Sequence, residues 1–290
     1  MSKEKNKLKS IDTPNYRYWS ALYMSLYSRL LYVDVGKRWK GLGFLYLLLA
    51  IALFSIPFVI RMDLSFNNSF NEQLIKPLEE IPIFYIQEGN VVFDKPMPYL
   101  VKNDKGQVNI IIDTTGQVND FSKYPSLAIL VNKNKISLKI PNLQLFNMPQ
   151  AQFSSGPPMV QEFSKEDNAV FDGKMIAKEK TITNMKYFAQ VLMYPMIVAV
   201  LFSMFITFFL VFGFLGQVFS SVFFSFSITF KQSCRLLIVA ATPMLIALIL
   251  LLTSNYIFPG SGFILLFLLI GYFSYALFAL RAESKKVVRT

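Results

Sequence analysis

The sequence predicts an α-helical membrane protein with four transmembrane helices and a small extracytoplasmic domain of mixed α/β or mainly β structure. Three observations predict it. Apolar residues make up 53% of the 290-residue chain, and its mean hydropathy is +0.42. They concentrate in four runs, near 42–60, 188–215, 236–253 and 263–280. Each run approaches or exceeds the ~17–25 residues that a helix needs to span the hydrocarbon core. A stretch of 125 residues (62–186), far more polar and rich in turn formers, separates the first run from the second.

The first span covers 42–60, and Pro57 kinks its last turn or lies in the interface. The second covers 189–215, where Pro195 weakens one backbone hydrogen bond. The third, 236–253, carries Pro243, and the fourth, 262–280, stops at Arg281. Residues 1–41 form a polar and aromatic preface, whereas a cleaved leader puts its apolar stretch near the terminus. No small-residue cleavage site follows Phe54-Ser55-Ile56-Pro57-Phe58-Val59-Ile60, so the first run reads as a retained signal anchor.

Orientation follows from positive charge in the short flanks. The preface holds nine Lys or Arg against three acids, the 216–235 connection two against none, and the 281–290 tail four against one. The 62–186 segment is balanced, with thirteen basic and fourteen acidic residues, and the 254–261 turn is uncharged. Four spans with both termini in the cytoplasm satisfy every flank except Arg61, whose long stem can reach the interface. The net charge of +11 then needs no nucleic-acid partner.

Residues 218–230, VFSSVFFSFSITF, mix aromatics with five Ser or Thr. They fit an interfacial helix, a re-entrant piece, or a continuation of span two; an interfacial or bundle-packed helix is the preferred reading, because loose backbone at membrane depth must be buried in protein. In the preface, Trp19, Leu22, Tyr23, Leu26, Tyr27 and Leu30 recur at spacings of three and four, as on one face of an interfacial amphipathic helix. Trp19, Tyr23 and Tyr27 suit the headgroup layer, and Lys37, Arg38 and Lys40 form a basic cluster before span one. The first eleven residues have a disordered composition.

Within 62–186, residues 72–80 predict a short helix stopped by Pro82. Ile86 to Phe93 predicts a strand pair about Glu88-Gly89-Asn90. Val108 to Ile112 predicts a strand entering the turn Asp113-Thr114-Thr115-Gly116. Ile129 to Val131 and Ile136 to Ile140 predict a hairpin with a polar loop. Residues 141–170, with four prolines, read as irregular. Val92-Phe93-Asp94-Lys95 is echoed by Val170-Phe171-Asp172-Gly173-Lys174, as if marking two equivalent strand ends.

Asp113-Thr114-Thr115-Gly116 is the only stretch resembling a catalytic motif. Aspartic proteases pair two Asp-Thr/Ser-Gly loops; here an extra threonine interrupts the triplet and no second copy exists, so a turn capped by Asp113 explains it. No histidine is present, which removes Ser-His and Cys-His catalysis, and a single cysteine, Cys234, forbids an internal disulfide. The four predicted span cores contain no ionisable residue of the kind ion-coupled transporters use. Gly213, Gly216 and Gly271 suggest close helix packing, and Pro195 and Pro243 suggest kinks. No metal, cofactor or nucleotide motif appears.

One early span, a strand ending in Ile112-Asp113-Thr114-Thr115-Gly116, and later spans carrying Tyr194-Pro195 and Thr242-Pro243 resemble the bacterial membrane family catalogued as domain of unknown function 1189, over roughly 20–280. The resemblance implies a plasma-membrane location, mainly in Gram-positive bacteria, and a distant likeness to Yip1-type proteins. It implies no catalytic residues. Its maltodextrin-utilisation label implies a place beside an ABC transporter. The function expected is a non-enzymatic binding, sensing or scaffold subunit acting through the outer domain, with membrane lipids and another membrane or envelope protein as partners. A transporter or importer accessory for sugars or envelope lipids is the alternative, and a membrane-bound hydrolase a weaker one.

Overall fold

A computed structural model describes residues 13–103, 106–139 and 158–288. The first eleven residues and most of the 141–170 segment therefore lie outside the described residues. The chain divides into two compact units, residues 1–59 with 193–290, and residues 60–192.

The first unit is helical. Short helices α1 (Tyr18–Met24) and α2 (Arg29–Lys37) precede α3 (Phe44–Phe54), which joins α4 (Ile56–Phe70) at a 46° bend. After the second unit come α7 (Lys180–Phe224), α8 (Phe230–Ala240), α9 (Thr242–Ser254) and α10 (Ser261–Val288), with a 44° bend between α8 and α9. Two helices are long and apolar enough to cross a membrane alone, and up to four crossings result if each bent pair is one span. The bends follow the prolines. Pro57 sits in the first turn of α4 and Pro243 in the first turn of α9, positions where a missing N–H is tolerated. Pro195, by contrast, lies inside the continuous α7.

Two expectations are corrected in this unit. The preface is two helices rather than one. The last carbonyls of α1 are taken by side chains, Ser25 Oγ donating to Leu22 O at 3.0 Å and Tyr46 Oη to Ala21 O at 3.4 Å, and Ser28 caps α2 by accepting from Leu31 N. Ala21 and Leu22 are buried, while Trp19, Tyr23, Leu26, Tyr27 and Leu30 are exposed. Leu22 thus leaves the face that periodicity assigned it. The 216–235 connection is likewise no separate helix. Residues 218–224 continue α7, the chain then leaves helical geometry at Ser225 (φ 46°), and Thr229 with Gln232 forms a capping box that starts α8. Gln217 Nε2 and Ser220 Oγ donate to Ile228 O and Phe226 O, satisfying the linker backbone.

Helices α7 and α8 touch through glycine. A Cβ on Gly213 would lie 2.3 Å from Cys234 Sγ, and one on Gly216 would lie 2.7 Å from Ser233 Oγ. Only residues without a side chain permit that approach. Gly271 differs: a Cβ there meets nothing within 4 Å, so the expectation of close packing fails at that position.

The second unit is mixed α/β. Its strands are β1 (Phe84–Gln87), β2 (Asn90–Val92), β3 (Tyr99–Lys102), β4 (Val108–Ile112), β5 (Ile129–Val131), β6 (Lys135–Leu138), β7 (Met159–Glu162) and β8 (Ala169–Phe171). One sheet runs β2-β1-β8 and the other β3-β4-β5-β6-β7, with β4 and β5 parallel and the remaining pairs antiparallel. A π-helical turn (Asn71–Ile75) and α5 (Lys76–Glu80) extend α4, and α6 (Gly173–Ala177) follows β8.

The β1–β2 turn places Glu88 and Gly89 at φ 50° and 74°, the left-handed pair that matches strand twist in a two-residue hairpin loop. Strands β5 and β6 pair Val131 with Ile136 around a polar loop, as their pattern predicts. Strands β7 and β8 arise inside the segment expected to be irregular, too short for alternation to betray them. The sequence echo acquires a meaning here: Val92 and Val170 both oppose Tyr85, from the two sides of β1.

Phe84, Ile86, Val91, Ile110, Ile112, Ile129 and Val131 from both sheets share one core with Leu78, Ile81 and Ala177 from the short helices. Ile111 faces the other way, into a second cluster with Leu130 of β5 and with Val118 and Leu127 of the β4–β5 crossover. Three consecutive isoleucines are therefore fully buried, each contributing ~1.5–3 kcal/mol. Burial on both faces turns the expected alternation into a continuous apolar run.

Candidate functional site

Asp113 ends β4 and is fully buried. Its Oδ1 accepts from Thr115 N (2.8 Å) and Thr115 Oγ1 (2.6 Å), and its Oδ2 accepts from Val118 N at 2.6 Å. Its own N–H donates to Val131 O, which continues the ladder onto β5. Burial opposes ionisation here, but bonds from the Thr115 side chain and the backbone of Val118, Thr115 and Gln117 outweigh it and hold the carboxyl below the usual carboxylate range. The carboxylate is thus consumed in shaping its own crossover. Gly116 takes φ 82° in that turn, which any other residue would enter with strain. Thr114 is half-buried and contributes no bond among those that fix the turn. Among the described residues, no group of three or more His, Cys, Asp or Glu could hold a metal ion.

In the helical unit, the charged group that position in sequence hid is Arg235. The sequence places it at the end of the 216–235 connection, yet it is only 9% exposed. Its Nη2 donates to Gly36 O at 2.6 Å and its Nη1 donates to Trp39 O, so the fork closes the C-terminal end of α2. Gln232, one turn earlier on α8, donates a second bond to Gly36 O at 3.1 Å. A cation at a helix C-terminus is favoured by the orphan carbonyls and their partial negative charge. Gly43, beside Arg235, turns the chain into α3 at φ 90°, a backbone conformation that favours glycine.

Asp34 works on the same helix. Only 2% exposed, it accepts from Asn15 N at 3.1 and 3.0 Å, Tyr16 N at 3.1 Å, and Arg38 Nη1 at 3.2 Å. It fixes the chain that enters α1. One signal could have revealed it: a lone acid inside Leu30-Leu31-Tyr32-Val33-Asp34-Val35 is too costly to bury unpaired. Of the predicted interface residues, Trp19, Tyr23 and Tyr27 are exposed apolar surface. Lys37 and Lys40 are exposed, and Arg38 is half-buried by its pairing with Asp34.

On the three-stranded sheet, Val92, Tyr85 and Val170 form one cross-strand row, exposed by 40%, 47% and 61%. The opposite face of β1, Phe84 and Ile86, is buried, with Phe84 stacked on Phe171 at 4.4 Å. The sheet therefore spends apolar side chains on both of its faces.

The model of the family described as "Protein of unknown function (DUF1189)" matches residues 19–277, from Trp19 in α1 to Leu277 in α10. The chain belongs to this family. The DUF1189 match takes in both units, so the strand-rich segment is part of the family architecture rather than an insertion. No curated protein and no solved structure matches the chain.

Proposed function

We propose that this DUF1189 protein resides in the bacterial plasma membrane, crosses it four times with both termini in the cytoplasm, and uses residues 60–192 on the outer side to bind or sense another envelope component. The two long apolar helices and the two bent pairs support four crossings, and the distribution of Lys and Arg supports the orientation. The observation that carries the binding reading is the exposed Val92–Tyr85–Val170 row. Single exposed apolar residues are ordinary; three in one cross-strand row support an interaction surface. Asp113, bound by its own loop, supports a shaped scaffold more than a reacting carboxylate. The partner is a membrane or cell-envelope protein, an ABC importer being the class that the resemblance suggests.

Two measurements test this. In a Cys234→Ala background, a membrane-impermeant maleimide applied to intact cells labels Lys133→Cys and spares Lys285→Cys; labelling of both, or of the second only, overturns the orientation. Mild-detergent purification of the native complex retains a stoichiometric partner, and Tyr85→Ser with Val170→Lys releases it without lowering the protein's abundance. A protein solitary in both forms sinks the binding reading.

A further inference from the structure

A groove of about 680 Å³ runs along α10 beside the α1–α2 connection, lined by Leu26, Tyr27, Phe267, Gly271, Tyr272 and Tyr275. Its walls are mainly apolar, and two of its three tyrosine hydroxyls are committed to backbone carbonyls. Tyr272 Oη donates to Leu26 O at 3.3 Å and Tyr275 Oη to Tyr27 O at 3.1 Å. Its floor is open because Gly271 has no side chain and nothing lies within 4 Å of where one would start.

Its length limits the occupant. From Ile264 to Tyr275 the groove follows α10 for roughly 16 Å at ~1.5 Å per residue. That is about half the ~30 Å hydrocarbon core, the depth of one leaflet. The groove is open along one side and lined by apolar side chains over that whole length, as an acyl chain lying in one leaflet requires.

Charge then selects the headgroup. One turn beyond Tyr275, the Arg29 guanidinium lies over the Phe278 ring at 5.5 Å, and among the described residues it forms no ion pair. Arg281 follows on the same helix. The end of the groove nearest the polar end of α10 is thus basic, and the far end, toward Ile264, is apolar.

We propose that this groove binds an anionic glycerophospholipid, with one acyl chain laid along Ile264–Tyr275 against Gly271 and the phosphate at Arg29. The site rests on the reading that α10 crosses the bilayer, and it does not depend on what the strand-rich unit binds.

Native mass spectrometry of the full chain, titrated with dioleoyl phosphatidylglycerol or dioleoyl phosphatidylcholine, tests it. The wild type binds phosphatidylglycerol about fivefold more tightly, the equivalent of the ~1 kcal/mol that one basic residue supplies near an anionic surface. Arg29→Gln removes that preference and retains weak binding of both lipids. Gly271→Leu fills the open floor and lowers binding of both by about tenfold or more. Because its Cβ meets no neighbour and leucine improves helix propensity, its thermal midpoint stays at or above that of the wild type. Equal affinity for the two lipids in the wild type, or undiminished binding by Gly271→Leu, overturns the proposal. So does a protein dimer that Gly271→Leu dissociates with no lipid selectivity. Labelling of Lys285→Cys separates these outcomes from a failure of the membrane orientation.

Discussion

Replacing Arg235 by Met keeps an unbranched apolar stem and removes the fork that closes α2. Two charge-assisted bonds are lost, each contributing ~1.5–3 kcal/mol. Gly36 O keeps its bond from Gln232, so only Trp39 O loses its side-chain donor. The net destabilisation is about 2–4 kcal/mol, which at ~2–4 °C per kcal/mol for a unit of this size lowers the midpoint by roughly 10 °C. The protein supplies its own assay. Cys234 is the only cysteine and is fully buried, so the rate at which a thiol-reactive fluorophore gains signal on heating reports unfolding of the helical unit. Arg235→Lys recovers about half the loss, since an ammonium can reach one carbonyl but cannot match a planar fork to two. Gln232→Ala lowers the midpoint by less than Arg235→Met, because Arg235 still serves Gly36 O. A midpoint for Arg235→Met within about 2 °C of wild type would show that solvent or lipid already satisfies those carbonyls, and would refute the cap.

Gly213→Ala forces a methyl into Cys234 Sγ and destabilises the α7–α8 contact by ~1–3 kcal/mol, the usual range for overpacking. Cys234→Ala in the same chain relieves most of it, so circular-dichroism melts of the two single variants and the double variant show a positive coupling; additive losses contradict the contact. Asp113→Asn replaces an acceptor of three bonds by an amide whose NH₂ meets a backbone donor, at a cost of ~1–3 kcal/mol at neutral pH. The folded pKa of Asp113 is lowered, so its stabilisation is full above the unfolded value of ~3.9 and is lost as pH falls through the folded value. Melts at pH 7 and below pH 4 therefore show the gap between wild type and variant narrowing in acid. Partner retention by the folded variant stays near wild type, whereas its complete loss at normal abundance would make Asp113 a reacting group.

The apolar runs were legible because length and composition suffice to mark a spanning helix, and the two hairpins because turn chemistry is local. What escaped was long-range. Strand β3 became visible only as the antiparallel neighbour of β4, and β7 only as the outer neighbour of β6. The parallel β4–β5 pair needs a crossover, and its stabilising cluster of Val118 and Leu127 carries no strand or helix period. Arg235 escaped for the same reason. A helix cap normally lies within a few residues of the end it closes, but this one is supplied from 196 and 199 residues away. Cys234 is fully buried against Gly213, a contact that no local pattern announces.

The two dipeptides that carried the family resemblance have a shared physical role at the bends. Pro243 has no N–H to give Val239 O, and the preceding Thr242 donates its hydroxyl to that carbonyl at 2.8 Å while lying 2.7 Å from Tyr46 Oη on α3. Near the other bend, Tyr194, which precedes Pro195, donates to Ala52 O at 2.9 Å, one turn before Pro57. In each case a hydroxyl from a residue preceding a proline serves a carbonyl at a broken helix; the Tyr194 bond ties its break to α7, and the Thr242 hydroxyl contacts Tyr46 of α3. An exposed carbonyl at such a break would be free to take a substrate or an ion, as unwound segments do in transporters. Here those carbonyls are occupied by the protein itself. The bends are therefore fastened joints, held by hydroxyl contacts to neighbouring helices.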